Sequence, residues 1–178
     1  MTVNTPRREK MVMNGLFVGR FQPFHLGHLE AVKWVLERCE KVTIAVGSSQ
    51  ASFTIRNPFT YEERKHWISS SLREEGIEQR RYEIIGVSDV FDCERWVKDI
   101  LEKAEFQTVY TRSLWVKECF NLFGIPVMSH PLFGRVSASR IRKKMKEDAG
   151  WEDFVPEIVS QSIRRIRGSE RLRSLAEG

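Results

Sequence analysis

Residues 19–28 read Gly19-Arg20-Phe21-Gln22-Pro23-Phe24-His25-Leu26-Gly27-His28. The stretch joins an apolar run at 12–18, read as a buried strand, to an amphipathic segment at 26–38. In that segment Leu29, Val32, Val35 and Leu36 share one face of a predicted helix. A strand that passes through a tight turn into a helix is the opening unit of an α/β fold.

The pattern continues outward. Short apolar or β-branched runs at 41–46, 82–87, 108–110 and 126–128 read as strands. Segments at 61–72, 94–103, 113–123, 137–146 and 155–166 read as helices. Strand–helix alternation with short connections predicts a Rossmann-like, doubly wound parallel sheet of about five strands. Helices cover both faces, and a C-terminal helical segment follows Gly150-Trp151. Residues 12–178 are expected to form a single domain, and the polar stretch 1–11 a loose, flexible tail. In such sheets ligands bind outside the carboxyl ends of the strands.

The 178 residues are 41% hydrophobic and 30% charged, ordinary for a globular chain. Cys39, Cys93 and Cys119 are odd in number and scattered, which argues against a disulfide framework or a zinc site and fits a cytoplasmic protein. No apolar run approaches the ~18 residues of a membrane helix, and the first ten residues carry no apolar h-region. The net charge of +5 implies anionic partners. Much of it sits late, at Arg140, Arg142, Lys143, Lys144 and Lys146, then at Arg164, Arg165, Arg167, Arg171 and Arg173. A solvated helix face is the plainer reading of the last cluster.

His25 and His28, three apart, fall on one face of the first helical turn. That turn offers free backbone N–H groups and the positive end of the helix dipole, a ready anion site. Gly27 removes a side chain where a ligand would approach, and Pro23 fixes the turn. A pair of structural histidines is the bland alternative. At the far end of the chain, Ser137-Ala138-Ser139-Arg140-Ile141-Arg142 opens a basic helix, with Ser137 as its cap. Such a cap alone is common; with the histidine pair it makes a clamp for a polyphosphate. Arg56, within Thr54-Ile55-Arg56-Asn57-Pro58-Phe59-Thr60, can fork onto a second anion or merely decorate a surface loop. Trp96 can stack on a planar ring or fill core. Asp89 can hold a polar substituent or turn the chain. His66 and His130 stand isolated and read as structural or surface residues. There is no GxxxxGK[ST], GxGxxG or GxSxG, which excludes P-loop ATPases, ordinary dinucleotide-binding domains and α/β-hydrolases.

These residues carry a family resemblance. GRFQPFHLGH resembles the (H/T)xGH motif of the nucleotidylyltransferase superfamily. Together with Gly47-Ser48-Ser49-Gln50 and TIRNPFT at 54–60, it is similar to the archaeal-type nicotinamide-nucleotide adenylyltransferases, over about residues 15–171. The resemblance implies an enzyme that joins ATP and nicotinamide mononucleotide to give NAD and pyrophosphate, with Mg²⁺ carried on ATP. It also implies a homo-oligomer, commonly a hexamer. It places His25, His28, Arg20 and Arg142 in catalysis and Gly19, Gly27, Ser137 and Ser139 with them on ATP. Arg56 would hold the mononucleotide phosphate, Trp96 would stack on nicotinamide, and Asp89 would lie in the same pocket; no protein ligand to a metal is implied.

The chain departs from the family pattern in places. Asn57 stands for an aspartate, Cys93 for an amide-binding asparagine, and Thr111-Arg112-Ser113 for Ser-Gly-Asn. The 133–136 loop is about two residues short. Rival readings are a related transferase acting on phosphopantetheine, FMN or glycerol phosphate, a non-catalytic ATP sensor, and a basic nucleic-acid-binding module. The arginine clusters lack the interleaved aromatics of single-strand platforms, which argues against the last.

Overall fold

The computed structural model describes residues 13–177, so the expected tail at 1–11 and the first residue of the expected opening strand lie outside the described residues. Five strands form one parallel sheet: β1 (Asn14–Gly19), β2 (Lys41–Val46), β3 (Tyr82–Gly86), β4 (Thr108–Tyr110) and β5 (Val127–Met128). Their spatial order is β3-β2-β1-β4-β5. Gly15 pairs with Val42 on one side and Thr108 on the other, and Val109 pairs with Val127. The order reverses between β1 and β4, which creates the crevice at which doubly wound sheets bind ligands.

Side chains alternate across the pleat, so each strand feeds two cores. Phe17, Ile44 and Val46 face one layer, and Leu16, Ala45 and Val109 the other. The first layer is closed by α1 (Leu26–Leu36) and α2 (Tyr61–Glu74), the second by α3 (Cys93–Lys103) and α4 (Leu114–Asn121). Local signals set the helix starts. Thr60 and Glu63 form a reciprocal capping box on α2, and the side chains of Asp92 and Ser113 cap α3 and α4.

The C-terminal helices α5 (Ala138–Glu147), α6 (Glu157–Arg165) and α7 (Gly168–Glu177) bury Ile141, Met145, Val159, Ile163 and Leu172 in the first core, together with Trp151 and Val155. Helix α7 was not expected from the sequence. Nor is the late arginine cluster wholly a solvated face: Arg171 is paired with Glu63 and Arg164 with Glu152, while Arg173 donates to the Met145 carbonyl.

The cysteines also need correcting. Cys93, at the start of α3, and Cys119, on α4, are joined as a disulfide although they lie 26 residues apart. Both helices pack on the same sheet face, and only that packing brings the sulfurs together. Cys39 is free and buried, with its sulfur 3.3 Å from the Tyr110 hydroxyl.

Candidate active site

His25 is the N-cap of α1 and His28 its third helical residue, and each ring serves the other's backbone. The His28 N–H donates to His25 Nδ1 and the His25 N–H to His28 Nδ1, both at 3.3 Å. An Nδ1 that accepts a hydrogen bond is unprotonated, so in the neutral ring the proton sits on Nε2. The double cap thus leaves two Nε2–H donors free. The rings stack with centroids 3.5 Å apart, and Phe21 and Phe24 pack around His28. Burial lowers the His25 pKa from 6.5 to about 4. Burial, then the neighbouring imidazoles of His25 and His130, hold His28 well below the usual range. Both rings are therefore neutral donors at pH 7, and charge is left to the arginines.

Helix α5 brings the second motif to the first. Ser137 caps α5 by accepting the Arg140 N–H, and Arg142 donates to the Gln22 carbonyl over 2.7 Å. Burial and then the nearby charge of Arg20 lower the Arg142 pKa. A cleft of about 280 Å³ is lined by His25, Gly27 and His28 from one side and by Ser137 and Ala138 from the other. The histidine motif and the serine-capped start of α5 thus meet at the switch point. Ser139 is exposed on the first turn of α5, and Arg20 is exposed at the end of β1.

The two glycines are required by the protein itself. A Cβ on Gly19 would lie 2.7 Å from the Phe21 ring, and one on Gly27 would lie 2.9 Å from the Phe133 carbonyl oxygen. Both keep the histidine loop closed, a reason distinct from ligand approach.

Arg56 is exposed on the 51–57 loop, beyond the carboxyl end of β2. Asp89 follows β3 and accepts hydrogen bonds from the Ser48 hydroxyl at 2.9 Å and the Gln50 amide at 3.3 Å. Trp96 is only 4% exposed and belongs to the second core. It packs against Trp115, which is 44% exposed, with ring centroids 4.8 Å apart. The structure thus brings Arg56 and Asp89 to the ligand-binding edge on loops and sets Trp96 beneath a second indole.

Two residues were missed from sequence. His130, read as isolated, lines the same cleft just after β5, and Arg112 donates to its carbonyl. Its place at a strand's carboxyl end was the available signal. Arg64 is fully buried with no carboxylate paired to it among the described residues. It donates to the carbonyls of Arg20, Gly47, Ser48 and Thr60 and so ties the loops after β1 and β2 to the start of α2. Burial lowers its pKa to about 10, so it remains charged at pH 7. Among the described residues no cluster of three or more His, Cys, Asp or Glu could hold a metal ion, and no helix is long and apolar enough to cross a membrane.

The cleft joins two neutral imidazole donors to a serine-capped helix start, with Arg112 in its lining and Arg142 anchored on the loop between Arg20 and His25. The class this fold and cleft define is the cytidylyltransferase-like nucleotidyltransferases, whose family model matches residues 16–144. The nicotinamide-nucleotide adenylyltransferase of Thermococcus sibiricus is 41% identical, covering 92% of this chain and 90% of that protein. That of Ignicoccus hospitalis is 41% identical, covering 93% of this chain and 99% of that protein. A bifunctional NMN adenylyltransferase/ADP-ribose pyrophosphatase from Francisella tularensis, solved with AMP and a manganese ion, superposes with a TM-score of 0.77 at 23% identity. It matches 92% of this chain, which spans 52% of that protein's length. The chain belongs to the nicotinamide-nucleotide adenylyltransferase family.

Proposed function

We propose that this protein transfers the adenylyl group of ATP to nicotinamide mononucleotide, giving NAD and pyrophosphate. The observation that carries the reading is the single cleft in which His25 and His28 face the start of α5. The acceptor's 5′-phosphate oxygen attacks the α-phosphorus of ATP, the α–β bridging bond breaks, and the electron pair leaves with pyrophosphate. A phosphomonoester has a second pKa near 6, so the nucleophile is ionised at pH 7 without a protein base. Catalysis then rests on in-line positioning and on donors aimed at developing charge.

In this reading the Nε2–H groups of His25 and His28, the guanidinium groups of Arg20 and Arg142 and the start of α5 at Ser137 and Ser139 hold the triphosphate. Gly19 and Gly27 keep the loop closed around it. Arg56 forks onto the mononucleotide phosphate, Asp89 meets a polar group of the acceptor, and Trp96 supports its ring through the indole pair with Trp115. ATP is taken as its magnesium complex: the donor set here is cationic, so the ion's ligands would be phosphates and water. Residues 12–178 act as one domain. The exposed Leu114 and Leu122 support a homo-oligomer, and the location that goes with this reading is the cytoplasm.

The test is turnover with ATP and magnesium against a panel of acceptors, following NAD and pyrophosphate. Nicotinamide mononucleotide is expected to be used far better than FMN or phosphopantetheine. Pyrophosphate release with either of those alone would move the acceptor assignment; ATP binding without any turnover would sink the reading.

A further inference from the structure

We infer that Arg171, on α7, is a positioning residue for the acceptor: it clamps both limbs of the loop that carries Arg56. The inference deepens the site described above and rests on the assignment of Arg56 to the acceptor's phosphate.

The loop at 51–57 does not hold itself. Phe53 sits at φ 56°, a left-handed conformation costly for a bulky residue. Asn57 is only 9% exposed, yet its Oδ1 has no hydrogen-bond partner among the described residues. An orphaned buried acceptor opposes the conformation that buries it. The loop's internal bonds run between Thr54 and Asn57, from the Thr54 N–H to the Asn57 carbonyl at 3.2 Å and from the Asn57 N–H to Thr54 Oγ1 at 3.0 Å. Phe53 and Ile55 are 55% and 59% exposed, so burial contributes little there.

The missing support comes from the far end of the chain. Arg171 Nη1 donates to the Pro58 carbonyl at 3.2 Å, on the loop's outgoing limb. The guanidinium centre lies 4.8 Å from the ring of Phe53, on the incoming limb, and 5.8 Å from that of Phe59. The guanidinium is itself fixed by a two-pronged pair with Glu63, at 2.8 and 2.9 Å. Glu63 in turn accepts the Thr60 N–H at the start of α2. One partly buried fork therefore joins α7, α2 and both limbs, with Arg56 at the tip between them. Gly168 lets α7 begin hard against this assembly, since a Cβ there would lie 3.1 Å from the Phe59 ring. The same helix reaches α5, the ATP-side helix, through the Arg173 bond to the Met145 carbonyl at 3.4 Å. Helix α7 thus sets the two substrate grips relative to each other, and Arg171 fixes the acceptor side of that relation. Misplacing a binding group by about 1 Å can cost up to ~10²-fold in rate.

The test uses the full chain and measures kcat and both KM values, with thermal unfolding as a check on the fold. Arg171→Ala should raise KM for nicotinamide mononucleotide on the order of tenfold and leave KM for ATP within about twofold. Arg171→Lys, which keeps the ion pair but loses the fork, should fall between. If Arg171→Ala does not fold, Glu63→Gln reads the same split, because the amide oxygen can still accept the Thr60 N–H. Hydrogen exchange at the Thr54 and Asn57 amides should quicken in either variant. A folded Arg171→Ala protein with an unchanged mononucleotide KM, or with both KM values raised alike, overturns the inference. Arg56→Ala separates the two claims. If its mononucleotide KM is normal, the Arg56 assignment fails; if that KM rises while Arg171→Ala stays normal, only the clamp fails.

Discussion

The histidine cleft, the proposed triphosphate end, and the loop at 51–57, the proposed acceptor end, hold their polar groups by opposite means. At the triphosphate end each group is fixed by its own neighbours. His25 and His28 cap one another's backbone, Phe21 and Phe24 pack around His28, and Arg142 is anchored on the Gln22 carbonyl. At the acceptor end Arg56 stands on an exposed loop with a left-handed Phe53 and an orphaned Asn57 oxygen, held from α7. Gln22 links the two: its side chain amide donates to the Phe59 carbonyl and accepts the Phe59 N–H, both at 3.0 Å. The difference suits the chemistry. Charge develops on the transferring and leaving phosphoryl groups, where preorganised donors act most strongly. The acceptor needs to be selected and released, a task for a loop of lower local stability.

If the first region is the preorganised one, its variants should lose turnover and keep their fold. His28→Ala removes one aimed donor and should lower kcat by about 10²–10³-fold; it also removes the ring that accepts the His25 N–H, so the thermal midpoint should fall by the equivalent of about 1 kcal/mol with the fold retained. Near-normal turnover in the folded variant would break the comparison at its stronger end.

The same burial makes a stability prediction. Unfolded His25 takes a proton near pH 6.5, whereas in the folded protein it does so only at about 4. Between these values the unfolded chain binds more protons. The histidine's contribution is therefore whole above about 6.5, is lost as pH falls towards 4, and is level below that. A shift of that size corresponds to about 3 kcal/mol at the acid end. Thermal midpoints from pH 7.5 to 4 should fall more steeply for the native protein than for His25→Asn, whose amide oxygen can keep the cap. Inorganic triphosphate should flatten the native slope, because a bound anion favours the imidazolium. Identical slopes in the two proteins would mean that the imidazole is not held neutral.

On the other side of the comparison the prediction inverts. Arg56→Ala should leave kcat and KM for ATP nearly intact and raise KM for nicotinamide mononucleotide by about 10- to 150-fold, the worth of a charged hydrogen bond of roughly 1.5–3 kcal/mol. A selective loss of ATP affinity would mean that the two substrates are assigned the wrong way round.

What the sequence disclosed follows the same division. The histidine pair, the Ser137 cap and the strand at 41–46 are local patterns, and they lie where their spacing puts them. What it hid depends on packing between distant parts. Helix α7 begins at Gly168, which reads as a stop signal and is there because Phe59 and Ile163 leave no room for a Cβ. Cys93 and Cys119 share no motif, and only the packing of α3 and α4 on one face joins them. Arg64 and Arg171 look like ordinary members of charged helices. Their roles lie in carbonyls and a carboxylate contributed by other elements. His130 was legible in principle, as the second residue after β5 at the sheet's carboxyl edge, but a lone histidine carries no spacing to read.

The smallest effect concerns the acceptor's ring, for which the sequence offered Trp96. At 4% exposure that indole is core, flanked by Trp115 and Phe120. Trp115 is 44% exposed at the head of α4, so it has the freer surface of the pair. Aromatic stacking is worth roughly 0.5–1.5 kcal/mol beyond buried area, or about 2- to 12-fold in affinity. Two substitutions separate the indoles. Trp115→Ala should cost little stability and raise the mononucleotide KM within that range. Trp96→Phe should lower the thermal midpoint while moving KM less, because its loss is one of packing. If Trp96→Phe instead raises KM in a stably folded protein and Trp115→Ala does not, the buried indole meets the ring. The acceptor pocket must then open between α3 and α4, where Cys93 and Cys119 tie those helices together. Reducing that disulfide should in that case lower the mononucleotide KM, a change the exposed-indole arrangement gives no reason to expect.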